Sequence, residues 1–189
     1  MLPRRALWAL ALVAALTAAC ADPPEKEIQQ ARGAIDTARA AGADRYAPED
    51  FKAAEDLLKQ ANDAVTERDY RLALNHAIDA RERALSAAKD AADRKASARV
   101  DADRAVAAAT TALGEAHARL RAAENAHLPG RTLLDAKHTI GAAEQKMQEA
   151  RTARQNGDYL AAIEAAKGAT PRLQGVVREL DAALPRHRR

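Results

Sequence analysis

Cysteine occurs once in this 189-residue chain, so no internal disulfide can form. Aromatic residues make up 3%, with a single Phe and a single Trp. Leu, Ile, Val and Phe together number 31, too few for the β-branched cores of a β sandwich or an α/β enzyme. Serine stands only at Ser86 and Ser97, both inside Ala-rich helical sequence and neither in a G-x-S-x-G turn. Neither a phosphate-cradling Gly-rich loop nor a C-x-x-C-H haem site is found. The chain is therefore expected to be non-catalytic and to carry no cofactor. Alanine is plentiful instead, at 52 residues. Ala loses no side-chain entropy in a helix, so the composition predicts long helices around a thin core. A net charge of +3 lacks the self-repulsion typical of disordered chains.

The one long apolar run lies near the start. Arg4 and Arg5 precede Ala6–Leu16, and the small residues Thr17, Ala18 and Ala19 follow. This is the three-part plan of an export signal, and the run is too short to span a membrane. Cys20 stands where cleavage would fall. The segment resembles a bacterial lipoprotein signal, although Leu16 lies one position before the preferred place. The resemblance implies cleavage before Cys20 and acylation of its sulfur, with a membrane as partner through several acyl chains. Ala21 follows where an Asp would imply retention at the inner membrane, so the periplasmic face of the outer membrane is the expected location.

Cleavage would leave 170 residues and a formal side-chain charge of +1. A nucleic-acid partner needs a basic face and is not expected. Residues 20–92 carry 11 basic and 15 acidic groups, and residues 93–189 carry 17 and 12. Such halves can pack together or be solvated evenly. The tail Arg186, His187, Arg188 and Arg189 could instead touch an anionic lipid or cell-wall polymer such as peptidoglycan, at about 1 kcal/mol per basic group.

The processed chain reads as helices throughout. Ile28, Ala31, Ala34/Ile35 and Ala38 repeat at threes and fours from Glu25 to about Ala41, with Gly42 as a left-handed stop. Pro48 opens the next helix, whose face is Phe51, Ala54, Leu57/Leu58, Ala61 and Val65, and which should end near Arg68. Asp69 is the N-cap of a run from Tyr70 to about Ala126 that contains no Pro. One seven-residue line reads Ile78, Leu85, Ala92, Arg99, Val106, Leu113, Leu120, and its partner reads Leu74, Arg81, Ala88, Lys95, Ala102, Ala109, Ala116, Ala123. These lines predict a seam for another helix. An unbroken helix there would be about 85 Å long, and a break near 93–101 is the alternative. Pro129-Gly130 separates a helix over 132–155, with the face Leu133, Ala136, Ile140, Ala143, Met147, Ala150. After Asn156-Gly157-Asp158, a short helix is predicted from Tyr159 to about Lys167. Gly168 and Pro171 should break it, with Thr170 capping a last helix that Pro185 ends.

Residues 53–70 and 142–159 repeat at an offset of 89, ending in Asp69-Tyr70 and Asp158-Tyr159. Each copy reads as a helix, a turn at Asp-Tyr and a second helix. The expected fold is all-α, an elongated helical bundle of two related hairpins joined by a long Ala-rich helix. The expected segments are a signal peptide (1–19), the lipidated Cys and linker (20–24), the first hairpin with the long helix (25–127), the second hairpin with the last helix (128–185) and the basic tail (186–189).

Ala31, Ala34-Ile35, Ala38-Arg39, Gly42-Ala43, Tyr46-Ala47-Pro48, Ala54, Leu57, Ala61, Asp69-Tyr70, Ala73-Leu74, Ala77 and Ala80 resemble an uncharacterised bacterial family. That family is a domain of unknown function found in Ala-rich envelope lipoproteins, sometimes fused to an OmpA-like domain. The likeness covers residues 25–95, and His127-Leu128-Pro129 begins a degenerate second copy. The hairpins are also loosely similar to tetratricopeptide units. The resemblance implies an envelope protein partner and brings no catalytic residues. Glu124-x-x-His127 and Asp135-x-x-His138 have the i, i+3 spacing of di-iron bundles, but one pair has Asp for Glu and the other abuts Pro129. They are read as solvated surface, and no metal is expected.

Overall fold

The computed structural model describes residues 22–184. Among them are six helices and no strand: α1 (Glu25–Ala40), α2 (Ala43–Tyr46), α3 (Pro48–Thr66), α4 (Tyr70–Asn125), α5 (Gly130–Gln155) and α6 (Tyr159–Ala183). The chain divides into two compact units between Asp93 and Arg94, inside α4. No polar or charged residue is buried among the described residues, and most buried positions are Ala.

In the first unit, α1 ends where Gly42 takes φ 85°. A Cβ at Gly42 would stand 3.3 Å from the Tyr46 ring, so both backbone and packing require glycine there. The next residues close the single turn α2, between the stop at Gly42 and the helix start at Pro48 that the sequence marks. That turn buries Ala43 and Tyr46, with Ala47 buried after it, before Pro48 opens α3. Arg32 donates to Asn62 at 3.2 Å and Arg39 to Glu55 at 2.8 Å, so α1 and α3 are antiparallel. The Arg39 guanidinium also lies 5.4 Å from the Phe51 ring centre. Ile28, Ala61 and Ala77 form one buried cluster, with Leu58 and Val65 half-buried against it. Arg83 pairs with Asp50 at 3.0 Å and Arg81 donates to Gln30 at 3.3 Å. These contacts set α4 antiparallel to α3 and parallel to α1, giving a three-helix bundle.

The second unit repeats the plan. Glu124 meets Lys137 at 2.7 Å, His117 meets Glu144 at 3.0 Å and Asp103 meets Arg154 at 2.9 Å. The α4 numbers fall as the α5 numbers rise, so the helices are antiparallel. Arg119 reaches Asp181 of α6 at 2.9 Å. The core combines Val106, Ala109, Ala116 and Leu120 of α4 with Ile140, Ala143 and Met147 of α5 and Leu173, Val176 and Leu180 of α6.

The two repeats share their turn chemistry. The Asp69 carboxylate accepts from Leu72 N–H at 2.9 Å, and the Asp158 carboxylate from Ala161 N–H at 3.1 Å. Before each cap a left-handed residue ends the preceding helix, Arg68 at φ 62° and Gly157 at φ 76°. Asp69 N–H reaches the Ala64 carbonyl and Asp158 N–H the Ala153 carbonyl, which ties off the helix end in the same way.

Two expectations are corrected. The residues of α6 form one helix, not two. Its buried stripe of Ala162, Ala166, Ala169, Leu173 and Val176 continues past Gly168 and Pro171, both on the exposed side. Packing of that stripe outweighs the backbone bond that Pro171 cannot donate. The seam on the first half of α4 lies elsewhere. Ala73, Ala77, Ala80, Ala84, Ala87 and Ala91 are buried, whereas Ile78 and Leu85 are 40% and 48% exposed and Arg81 and Ala92 are exposed. From Ala102 the expected line holds, with Ala109, Ala116 and Ala123 buried. A seven-residue period drifts by about 20° per heptad on an α-helix, so a register that fits 102–123 is one residue out by 73–91. Where the open alternatives were a break or a continuous helix, α4 is continuous.

Candidate functional site

Cys20, the expected lipid attachment point, and the tail Arg186, His187, Arg188 and Arg189 lie outside the described residues. Between them the structure offers surfaces rather than an enclosed pocket. Open grooves run along the helices. One, about 740 Å³, lies between the start of α1 and the end of α3, lined by Pro23, Glu25, Ile28, Gln29, Asn62 and Val65 among others. A second, about 640 Å³, lies between α4 and α6 at Arg104, Ala108, Ile163 and Pro171. A third, about 680 Å³, runs along the end of α5 to Asp158. Small-molecule sites bury most of their ligand in a concave pocket with a few convergent polar groups. These grooves instead have the open form in which an elongated segment could lie.

Many polar side chains along the bundles are solvated and pair with one another, whereas Nδ1 of the half-buried His76 has no hydrogen-bond partner among the described residues. Lys52 and Lys59 meet Asp56 and Asp63 one helical turn on, at 2.7 and 2.8 Å. Each amine is held above its ordinary value first by the hydrogen bond to that carboxylate and then by its charge. The Glu124 carboxylate is engaged by Lys137, and His127 occupies the left-handed turn after α4 at φ 54°. Asp135 and His138 are exposed on α5. Among the described residues no three His, Cys, Asp or Glu side chains are grouped to hold a metal. The cross-helix pairs His117–Glu144 and Asp103–Arg154 escaped sequence reading. Their signal was available only in hindsight, as a near-constant sum of paired numbers once antiparallel neighbours are known.

Exposed apolar side chains mark α4 most clearly. Leu72 is 40% exposed near its start, and Ile78, Leu85 and Val100 are exposed further along it. No described helix is long and apolar enough to cross a membrane.

These features define an all-helical protein built of two small three-helix bundles. Residues 26–103 match the family model of a domain of unknown function (DUF4398). The matched stretch spans α1 to α3 and the first part of α4, close to the residues 25–95 that carry the resemblance. No curated protein and no solved structure matches the chain.

Proposed function

We propose that the protein is a non-catalytic lipoprotein of the bacterial envelope, anchored through Cys20, that presents helical surfaces to an envelope protein partner. Its place is the periplasmic face of the outer membrane. The observation that carries the reading is the order of features at the start of the chain. A basic pair, an eleven-residue apolar run and three small residues lead to the only Cys, and helix α1 begins five residues later. A lone thiol in an exported chain needs an explanation, and acylation supplies one. The exposed Ile78 and Leu85, seven residues apart on α4, support presentation of a helical surface.

Palmitate labelling of the wild type against Cys20→Ala tests the anchor. Label should appear in the wild type and vanish in the variant, and equal labelling of both would remove the reading. Crosslinking in cells, followed by identification of the captured protein, tests the scaffold. A specific envelope partner lost in an Ile78→Glu/Leu85→Glu variant is the expected result. A capture pattern unchanged by that pair of substitutions would detach the function from this face of α4.

A further inference from the structure

The described chain begins at Asp22, two residues after Cys20, and two residues span at most about 7 Å. Pro23 already belongs to the first bundle. Its carbonyl accepts from Glu25 N–H at 2.8 Å, and it lines the groove that also holds Ile28, Asn62 and Val65. Helix directions identify what else lies at this end. Ile28 of α1 shares a buried cluster with Ala77 of α4, and the two helices run the same way. Five residues back along each chain, Pro23 is level with Leu72. That side chain is 40% exposed, and Arg68 and Arg71 are exposed just before it. The equivalent turn of the second unit carries Gly157, Leu160 and Ala161 in the places of Arg68, Arg71 and Leu72. Leu160 is exposed there too, at 42%, but no arginine stands at either equivalent position, so the two guanidinium groups beside the exposed leucine are what set the first turn apart from its repeat.

Resting on the anchor proposed above, we infer that this end of the first bundle lies directly against the phospholipid headgroup layer. Leu72 meets the apolar side of the interface, and Arg68 and Arg71 donate to phosphodiester oxygens. A guanidinium fork matches phosphate oxygens in geometry, and its weak hydration lowers the cost of leaving water. Lys26, Arg68 and Arg71 are outnumbered at this end by Asp22, Glu25, Glu27, Glu67 and Asp69. The surface charge of the membrane therefore does not hold the bundle. The acyl chains do, and the contact persists on zwitterionic lipid and in salt.

The anchored chain has no tryptophan, because Trp8 precedes Cys20. Single reporters can therefore be placed in the full acylated protein. Leu72→Trp and Arg71→Trp probe the contact. Leu85→Trp lies 13 residues further along α4, about 20 Å away, and is the control. Each protein is reconstituted into phosphatidylcholine vesicles, with and without phosphatidylglycerol, and into the same vesicles made with brominated lipid. Emission from position 72 or 71 should shift to the blue on reconstitution and be quenched several-fold more than emission from position 85, in both lipid mixtures. A protein that floats with the vesicles while position 72 and position 71 are quenched no more than position 85 would overturn the inference and leave the anchor standing. A protein that fails to float, as Cys20→Ala should, would remove the anchor reading and the contact with it.

Discussion

Arg68 and Gly157 occupy the same place in the two repeats, and both take a left-handed backbone conformation. For a residue with a Cβ that conformation costs about 1–2 kcal/mol. Glycine avoids the clash but has more freedom to lose on folding, which returns part of the gain. Arg68→Gly should therefore stabilise the protein by about 1 kcal/mol, read as a higher urea midpoint. Gly157→Arg should lower the midpoint by a similar amount. If Arg68→Gly proves neutral or destabilising, the Arg68 side chain contributes more to folding than its exposed position indicates. The caps beside these residues were legible in the sequence, because a short carboxylate before an Ala-rich run acts locally. Gly42 was legible for the same reason, as the only residue type at ease at φ 85°. The turn α2 was not, because Ala43, Tyr46 and Ala47 are ordered by burial against other parts of the bundle, which no local signal reports.

At the scale of elements, α4 and α6 show where pattern reading reaches its limit. The α5 face of Ala136, Ile140, Ala143, Met147 and Ala150 is buried as expected, because bulky residues mark its period. On the first half of α4 the bulky residues misled. Ile78 and Leu85 flank a stripe of buried Ala whose small size lets neighbouring helices approach. Two substitutions of identical chemistry separate the registers. Ala84→Leu adds bulk at a fully buried position and should cost about 1–3 kcal/mol. Ala92→Leu adds it at an exposed position and should change stability by less than about 0.5 kcal/mol. The sequence-derived seam demands the reverse order, so thermal unfolding of the pair decides between them. In α6, Pro171 stands inside a helix held by its buried stripe. A helix-interior proline costs about 3 kcal/mol relative to Ala. Pro171→Ala should raise the stability of the second unit by up to that amount, with no loss of helical signal by circular dichroism.

Across the whole molecule, the two units differ in what fills them. The first buries Ile28, Ile35, Tyr46 and Phe51 among its alanines. The second buries Val106, Leu120, Ile140, Met147, Leu173, Val176 and Leu180, and all three of the largest fully buried side chains are there. Fully burying a side chain of this kind is worth about 1.5–3 kcal/mol. The second unit should therefore open less often, although helices and connections are similar in the two. Between them, residues 92–101 of α4 bury only Ala98. A helix with so little packing keeps its backbone bonds but opens locally at low cost. Hydrogen exchange resolved along the chain should show three levels. Amides of α5 and the second half of α6 should exchange slowest, those of α1 and α3 faster, and those of 92–101 fastest within α4. Leu173 is fully buried, and Leu173→Ala should cost about 2–5 kcal/mol. If the units open separately, that substitution speeds exchange in α5 and α6 and leaves α1 and α3 unchanged. Equal acceleration in both units would mean that α4 transmits the loss and that the chain unfolds as one cooperative body.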